Sequence, residues 1–301
     1  MKFTKEIISH NEFYLSTFTL SEDLPYILFI HGGPAFNSAT VEKMVEEYNL
    51  FDKLNANLVF YDQRACGRSP RLGSVVTHND NVNDLYNIFN FLKTQNIVIK
   101  LFMGHSYGAK LLNDFYMRYS SINIPGVFVA VAESMLTPRL NNLMLDLGYL
   151  KMEKPEEYKQ ILSKLEDDIS LSSIWKLTEE LAPLFNQNKS RPYFYWANLE
   201  WFDKDQKIKA EHKLTANQDV FMSVRKDIHE TETGLSINID SLPIKSLWIN
   251  GFHDYIMSGA SGIVKKNINP QKKSMVFSKS AHYPHIEENE KFCEVINDFI
   301  K

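Results

Sequence analysis

The residues of this chain whose types and order could do covalent chemistry are a serine, an acid and a histidine, each just after an apolar run. Gly104-His105-Ser106-Tyr107-Gly108 lies between the run Leu101-Phe102-Met103 and the segment Lys110-Leu111-Leu112 that leads to Phe115 and Tyr116. G-x-S-x-G between a strand and a helix is a turn that lifts a serine hydroxyl above a sheet. The turn is tight enough to strain the serine backbone, and glycines stand where side chains would collide. A hydroxyl is a weak nucleophile until a base removes its proton, and the base needs an orienting acid. Asn250-Gly251-Phe252-His253-Asp254 offers Asp254 as that acid; an Asp that merely caps a following helix is the plainer alternative. Ser280-Ala281-His282-Tyr283-Pro284-His285 offers two histidines. His282 comes first in the loop, where an imidazole reaches back to Ser106. His285 follows a proline at a helix start and reads as a packing or capping residue. His105 and His253 read as supports of the elbow and of the acid's loop.

Acyl transfer also needs donors where negative charge develops. In His31-Gly32-Gly33-Pro34-Ala35 the glycines let the backbone approach a carbonyl, so the Gly33 N–H pairs with that of Tyr107 as an oxyanion hole. Losing one such donor costs about 10²–10³ in turnover. A Gly-Gly-Pro turn that merely reverses the chain is the alternative.

The elements that must position these residues alternate. Residues 3–20 read as a pair of strands turning at Asn11-Glu12, and Tyr26–Ile30 as a buried parallel strand. A helix over about 40–54 follows, then a strand over 58–61 that delivers Asp62-Gln63-Arg64-Ala65-Cys66-Gly67-Arg68-Ser69. Val82, Leu85, Phe89 and Leu92 share a helix face; Ile97-Val98-Ile99 opens the elbow strand, and Val127–Ala132 is the next strand. Alternation then stops. From about 136 to 240 the pattern is helical, with Tyr158, Ile161, Leu162 and Leu165 at helical spacing. Strands return at Ser246–Asn250 and Met275–Phe277, before a helix burying Phe292, Val295, Ile296, Phe299 and Ile300. The expectation is an α/β fold: a doubly wound, mostly parallel sheet formed by residues 1–135 and 241–301, with a helical cap at 136–240. Each motif falls at a strand's carboxyl end, where ligands bind in such sheets.

Composition narrows the partners. The chain has 301 residues, 44% hydrophobic and 23% charged, with 33 basic against 37 acidic residues and no basic cluster. Nucleic acid and anionic membrane are not expected partners. Cys66 and Cys293 make no disulfide framework, no signal-peptide or spanning run is seen, and a cytoplasmic protein is expected. No metal or cofactor is called for, no repeat is visible, and nothing speaks to oligomeric state.

His31-Gly32-Gly33-Pro34, Asp62-Gln63-Arg64-x-x-Gly67-Arg68-Ser69 and Gly104-His105-Ser106-Tyr107-Gly108 together resemble the proline iminopeptidase family of α/β-hydrolases, over about residues 25–135 and 242–300. The resemblance implies release of an N-terminal residue, often proline, through an acyl-enzyme. It makes Ser106 the nucleophile, Asp254 the acid, His282 the base, and Gly33 with Tyr107 the oxyanion hole. Two positions depart from the family's pattern: its HGGPG ends here in Ala35, and its DQRG-type turn reads Ala65-Cys66 before Gly67. Ala35 is expected to hold ordinary backbone angles, Cys66 to fill a small apolar space, and Arg64 and Asp62 to brace their loop. An aminopeptidase must also hold a free ammonium with carboxylates. Tyr255 follows Asp254 where the family places an acid, so Glu133, Glu200, Asp219 and Glu230 are the candidates, each otherwise a solvated surface group. The aromatic segment Tyr193–Phe202 reads as cap core or as a wall for a proline ring. The same scaffold could serve a small-molecule esterase, lactonase or amidase. A non-catalytic binding protein would not need the three residues in order.

Overall fold

The computed structural model describes residues 2–70, 75–164, 170–181, 183, 189–229, 237, 241–257 and 271–301. Its strands are β1 (Thr4–Ile8), β2 (Leu15–Thr19), β3 (Tyr26–Ile30), β4 (Asn57–Tyr61), β5 (Ile99–His105), β6 (Gly126–Val129), β7 (Ser246–Gly251) and β8 (Lys272–Phe277). They form one sheet in the order β1-β2-β4-β3-β5-β6-β7-β8. β2 runs antiparallel to β1 and β4, and β3 to β8 run parallel.

Period-two alternation explains why the central strands are apolar throughout. Ile27, Phe29, Leu101, Met103, Leu247 and Ile249 face one hydrophobic cluster, while Leu28, Ile30, Phe102 and Trp248 face the other. Helices α1 (Ala39–Tyr48) and α10 (Asn289–Ile300) close the first side; α2 (His78–Thr94) and α3 (Tyr107–Arg118) close the second. α2 begins with a capping box between Thr77 and Asp80. Between β6 and β7 the described residues carry helices only: α4 (Leu136–Glu153), α5 (Pro155–Leu162), α6 (Leu171–Leu181), a 3₁₀ turn (Arg191–Tyr195), α7 (Leu199–Glu211) and α8 (Gln218–His229). α9 (Pro284–Glu287) precedes α10.

Some boundaries differ from expectation for local reasons. α1 stops before 54 because Asn49 takes a left-handed conformation, φ 54°, and its N–H bonds back to Met44 O. β5 begins at Ile99, with Val98 56% exposed, because only from Ile99 does the chain pair with β3. β6 ends at Val129, where pairing with β5 and β7 stops. Leu165 lies outside the described residues.

Candidate active site

The elbow is built by backbone contact. A Cβ at Gly104 would come within 2.4 Å of Gly108 O, and one at Gly108 within 2.2 Å of Ile30 O, so both positions require glycine. Ser106 sits at φ 54°, ψ −119°, a sparsely populated conformation held by the Ser106 N–H to Val129 O bond at 2.8 Å. The residue is 9% exposed. Tyr107 opens α3, so its N–H has no partner within the helix.

Asp254 and His282 meet because they follow the neighbouring strands β7 and β8. The His282 Nδ1–H donates to Asp254 Oδ2 at 2.8 Å, and Asp254 Oδ1 accepts from the Ile256 and Met257 N–H groups at 3.0 and 2.9 Å. With the proton on Nδ1, Nε2 carries the lone pair. His105 Nε2–H donates to the His282 carbonyl at 2.8 Å, which fixes the histidine loop beside the elbow. Burial keeps the His105 ring well below the usual histidine range, with His285 and His282 adding to the effect. No hydrogen bond joins the Ser106 hydroxyl to the His282 ring; such contacts are often long before substrate arrives. His285 is buried with neither ring nitrogen bonded, and burial pushes it down to about 3, so it is a neutral packing residue. His253 donates to Ser278 O at 3.1 Å, which steadies the neighbouring loop.

The loop after β3 lies against the elbow: a Cβ at Gly32 would meet Ser106 Cβ at 3.0 Å. Gly33 has φ +134°, a conformation that glycine supplies without strain. His31 holds this loop, its Nε2 accepting from the Gln63 N–H at 3.0 Å and its Nδ1–H reaching Gly32 O at 2.9 Å. Ala35 corrects the expectation of ordinary angles: its φ is 75°, and Ala65, the other departure from the family pattern, has φ 56°. Both alanines thus occupy left-handed backbone, and Asn217 secures them from the inserted helices. Its N–H bonds Ala35 O at 3.1 Å and its Nδ2 bonds Ala65 O at 2.9 Å. Their methyl groups pack with Cys66, Tyr107, Val220, Val224 and Ile228. Cys66 is a buried filler, as expected, and burial pushes its thiol up to about 12.

Asp62 and Arg64 brace from below. Arg64 makes a forked pair with Asp84 at 2.8 and 2.5 Å. Asp62 accepts from Ser38 and from the Arg68 N–H and Nε, while Arg68 Nη2 also reaches Glu42 at 2.6 Å. Burial raises both carboxyls, but the Arg68 guanidinium outweighs it and holds Asp62 and Glu42 below the usual carboxylate range.

Three of the four candidate amine anchors are exposed. Glu200 is exposed and tied to Lys204 at 2.7 Å; Asp219 is exposed in the first turn of α8; Glu133 is exposed beyond β6. Glu230 lies outside the described residues. The aromatic segment packs instead on the histidine loop. Tyr195 O accepts the His282 N–H at 3.1 Å, the Tyr195 ring stands 5.5 Å from that of His282, and Trp196 stacks on Tyr283 at 4.2 Å. Glu287, missed from the sequence, joins the two: it accepts from the N–H groups of Ala197 and Asn198 at 2.7 Å and Ala281 at 2.8 Å. Only its place after the proline that starts α9 hinted at such a role. Among the described residues, Glu47, Glu211 and His212 bring metal-ligating atoms within 4.8 Å of one another, but all three are exposed at helix ends.

A family model described as the alpha/beta hydrolase fold matches residues 25–289, and the chain belongs to that family. A proline iminopeptidase from Saccharolobus solfataricus is 24% identical over 283 residues, 91% of this chain and 84% of that protein. Among solved structures, a proline iminopeptidase-related protein from Thermus thermophilus superposes with TM-score 0.62 at 16% identity, over 100% of this chain and 98% of the other. The proline iminopeptidase of Mycobacterium smegmatis gives 0.62 at 16% over 99% and 97%, and an esterase from Exiguobacterium antarcticum 0.61 at 14% over 99% and 98%. Similarity thus extends to peptidases and esterases alike. Among the described residues no helix is long and apolar enough to cross a membrane.

Proposed function

We propose that this chain is a serine hydrolase that releases an N-terminal residue, proline preferred, from short peptides through an acyl-enzyme. The Asp254–His282 hydrogen bond at 2.8 Å, beside the strained Ser106 turn, carries the reading. Ser106 Oγ attacks the scissile carbonyl carbon while His282 Nε2 takes its proton. The Gly33 and Tyr107 N–H groups receive the developing oxyanion. Collapse expels the leaving amine with the proton from His282, and His282 then deprotonates the water that releases the acyl group. Asp254 holds the tautomer that makes Nε2 the base. In this reading α4 to α8 form a cap over the site, and the two buried free cysteines suit a reducing, cytoplasmic setting.

A second reading, hydrolysis of a small ester, lactone or amide, is favoured by the exposure of Glu133, Glu200 and Asp219. Three compounds separate the two: a proline arylamide, the same compound with its amine blocked, and a short-chain aryl ester. Cleavage of the free-amine compound alone supports the aminopeptidase; indifference to blocking, or ester turnover alone, supports the second reading. Ser106→Ala and His282→Ala are each expected to lower turnover by about 10⁶-fold, as for groups that act as one unit. Substantial turnover by purified Ser106→Ala protein would overturn both readings.

A further inference from the structure

Two of the inserted helices, α4 and α8, each carry an arginine that no described carboxylate pairs; the buried Asp146 of α4 pairs instead with Arg191 at 3.9 Å. Arg139, on α4, is 4% exposed. Its guanidinium lies 3.9 Å from the Trp175 ring centroid of α6, and its Nε donates to Thr178 Oγ1 at 3.3 Å. Arg225, on α8, lies over the Phe221 ring at 4.7 Å. Neither guanidinium is ion-paired with a carboxylate among the described residues; Glu179, whose charge Arg139 feels, is exposed on α6. Burial pulls Arg139 down to about 9, with Arg225 adding to the effect, and pulls Arg225 down to about 10, with Arg191 adding. Both remain cations at neutral pH. One helical turn beyond Arg225, His229 is pushed down to about 3 by burial and by both arginines, so its ring is neutral. Its Nδ1 is buried without a partner, and its ring lies 5.9 Å from that of Trp175.

Buried charge is costly unless an opposite charge compensates it. Among the described residues, two guanidiniums and an unbonded ring nitrogen around one place therefore leave the position of an anion open. That place adjoins the reaction centre through Tyr195. The Tyr195 hydroxyl donates to Asn142 Oδ1 at 3.1 Å, which also accepts from Arg191 Nη2 at 2.6 Å. The Tyr195 ring lies 5.5 Å from that of His282 while its hydroxyl shares Asn142 with Arg191, so Tyr195 touches both; burial raises this hydroxyl, Arg191 and Arg225 pull it back, and Asp254 adds to the rise. The apolar side of α8, Val220, Val224 and Ile228, packs on Ala35 and Tyr107, so one helix touches the oxyanion loop and carries Arg225.

We propose that Arg139, Arg225 and His229 form a subsite for a carboxylate group of the substrate. It rests on Ser106 chemistry as read above and narrows the substrate to esters or amides that bear a free acid. The acid can be the C-terminal carboxylate of a short peptide or the second carboxyl of a dicarboxylic monoester.

The test compares kcat/KM for para-nitrophenyl hydrogen glutarate with that for its methyl ester, and for prolylglycine with that for prolylglycinamide. Wild type is expected to prefer the acid in at least one pair by about tenfold to a hundredfold through KM, the scale of charge-assisted hydrogen bonds. The pair that shows the preference identifies the source of the carboxylate. Arg225→Gln is expected to remove most of that ratio and Arg225→Lys to keep part of it. Arg139→Gln is the second site variant, read only if its thermal unfolding stays cooperative. Calorimetry of glutarate binding to Ser106→Ala protein tests the subsite apart from turnover, with weaker binding expected in Ser106→Ala/Arg225→Gln. Equal or reversed preference together with Ser106-dependent turnover overturns the subsite and leaves the reaction standing. Glutarate binding that depends on Arg225, without turnover of any compound, supports the subsite and refutes the reaction. Absence of both preference and binding overturns the subsite.

Discussion

Asp254→Asn is the sharpest perturbation because the structure dictates how the new amide must lie. Asp254 Oδ1 accepts two backbone N–H groups, from Ile256 and Met257, at 3.0 and 2.9 Å. An amide NH₂ placed there would face two donors, so the asparagine oxygen must take that side. Its NH₂ then points at His282 Nδ1, where the acid now accepts at 2.8 Å. A donor in that place forces Nδ1 to accept and moves the ring proton to Nε2. The imidazole can no longer take a proton from Ser106. The expected loss in kcat is about 10⁴-fold, the scale of the same change in a serine protease, or about 5 kcal/mol of barrier. Turnover of whichever compound wild type cleaves is measured alongside thermal unfolding, so that lost folding is not read as lost chemistry. Glu133→Gln is the companion, expected to stay within about threefold because Glu133 is exposed beyond β6. Asp254→Asn within tenfold of wild type, with Glu133→Gln inactive, would refute the tautomer argument and move the acid to Glu133.

Removing the guanidinium of Arg68→Met leaves the fully buried Asp62 and Glu42 side chains without it, and a loss of about 3–5 kcal/mol in urea unfolding is expected; a loss under about 1 kcal/mol would mean that Ser38 and Lys5 suffice. His285 is held neutral by burial, down to about 3, whereas the unfolded chain protonates near 6.5. The unfolded state therefore binds the extra proton inside that window, so this contribution to stability is complete above it and falls with pH through it. His285→Leu is expected to flatten the slope of unfolding free energy between those values by about 1.4 kcal/mol per pH unit; an unchanged slope refutes the assignment. Ala35→Gly relieves left-handed strain while losing a buried methyl and adding chain entropy, so its stability is expected within about 0.5 kcal/mol of wild type. Ala109→Gly, in helical backbone of α3, is expected to cost about 1.5 kcal/mol, and equal costs at the two positions would remove the strain argument.

Local pattern was enough for the sheet and the elbow. Two-residue alternation in apolar runs identifies strands buried on both faces, and the glycines at 104 and 108 are legible because their neighbours leave no room for a Cβ. The order of Ser106, Asp254 and His282 could likewise be read as a constellation, since each follows a strand that must end at the same rim. Loop order put His282 ahead of His285, and packing sets the two apart: one ring bonds Asp254, the other makes no hydrogen bond. The left-handed Ala35 and Ala65, clamped by Asn217, were equally hidden, because nothing in an alanine announces a positive φ. Glu287 as the tie between Ala197 and Ala281, and Arg139 set beside Arg225 and His229, arise from helices far apart in the chain. Periodicity tells a residue which face of its own element it occupies. Which foreign side chain it then meets, and whether a buried charge finds an opposite one, depends on how the helices between β6 and β7 pack against the rest of the chain, and that is decided only when the chain is folded.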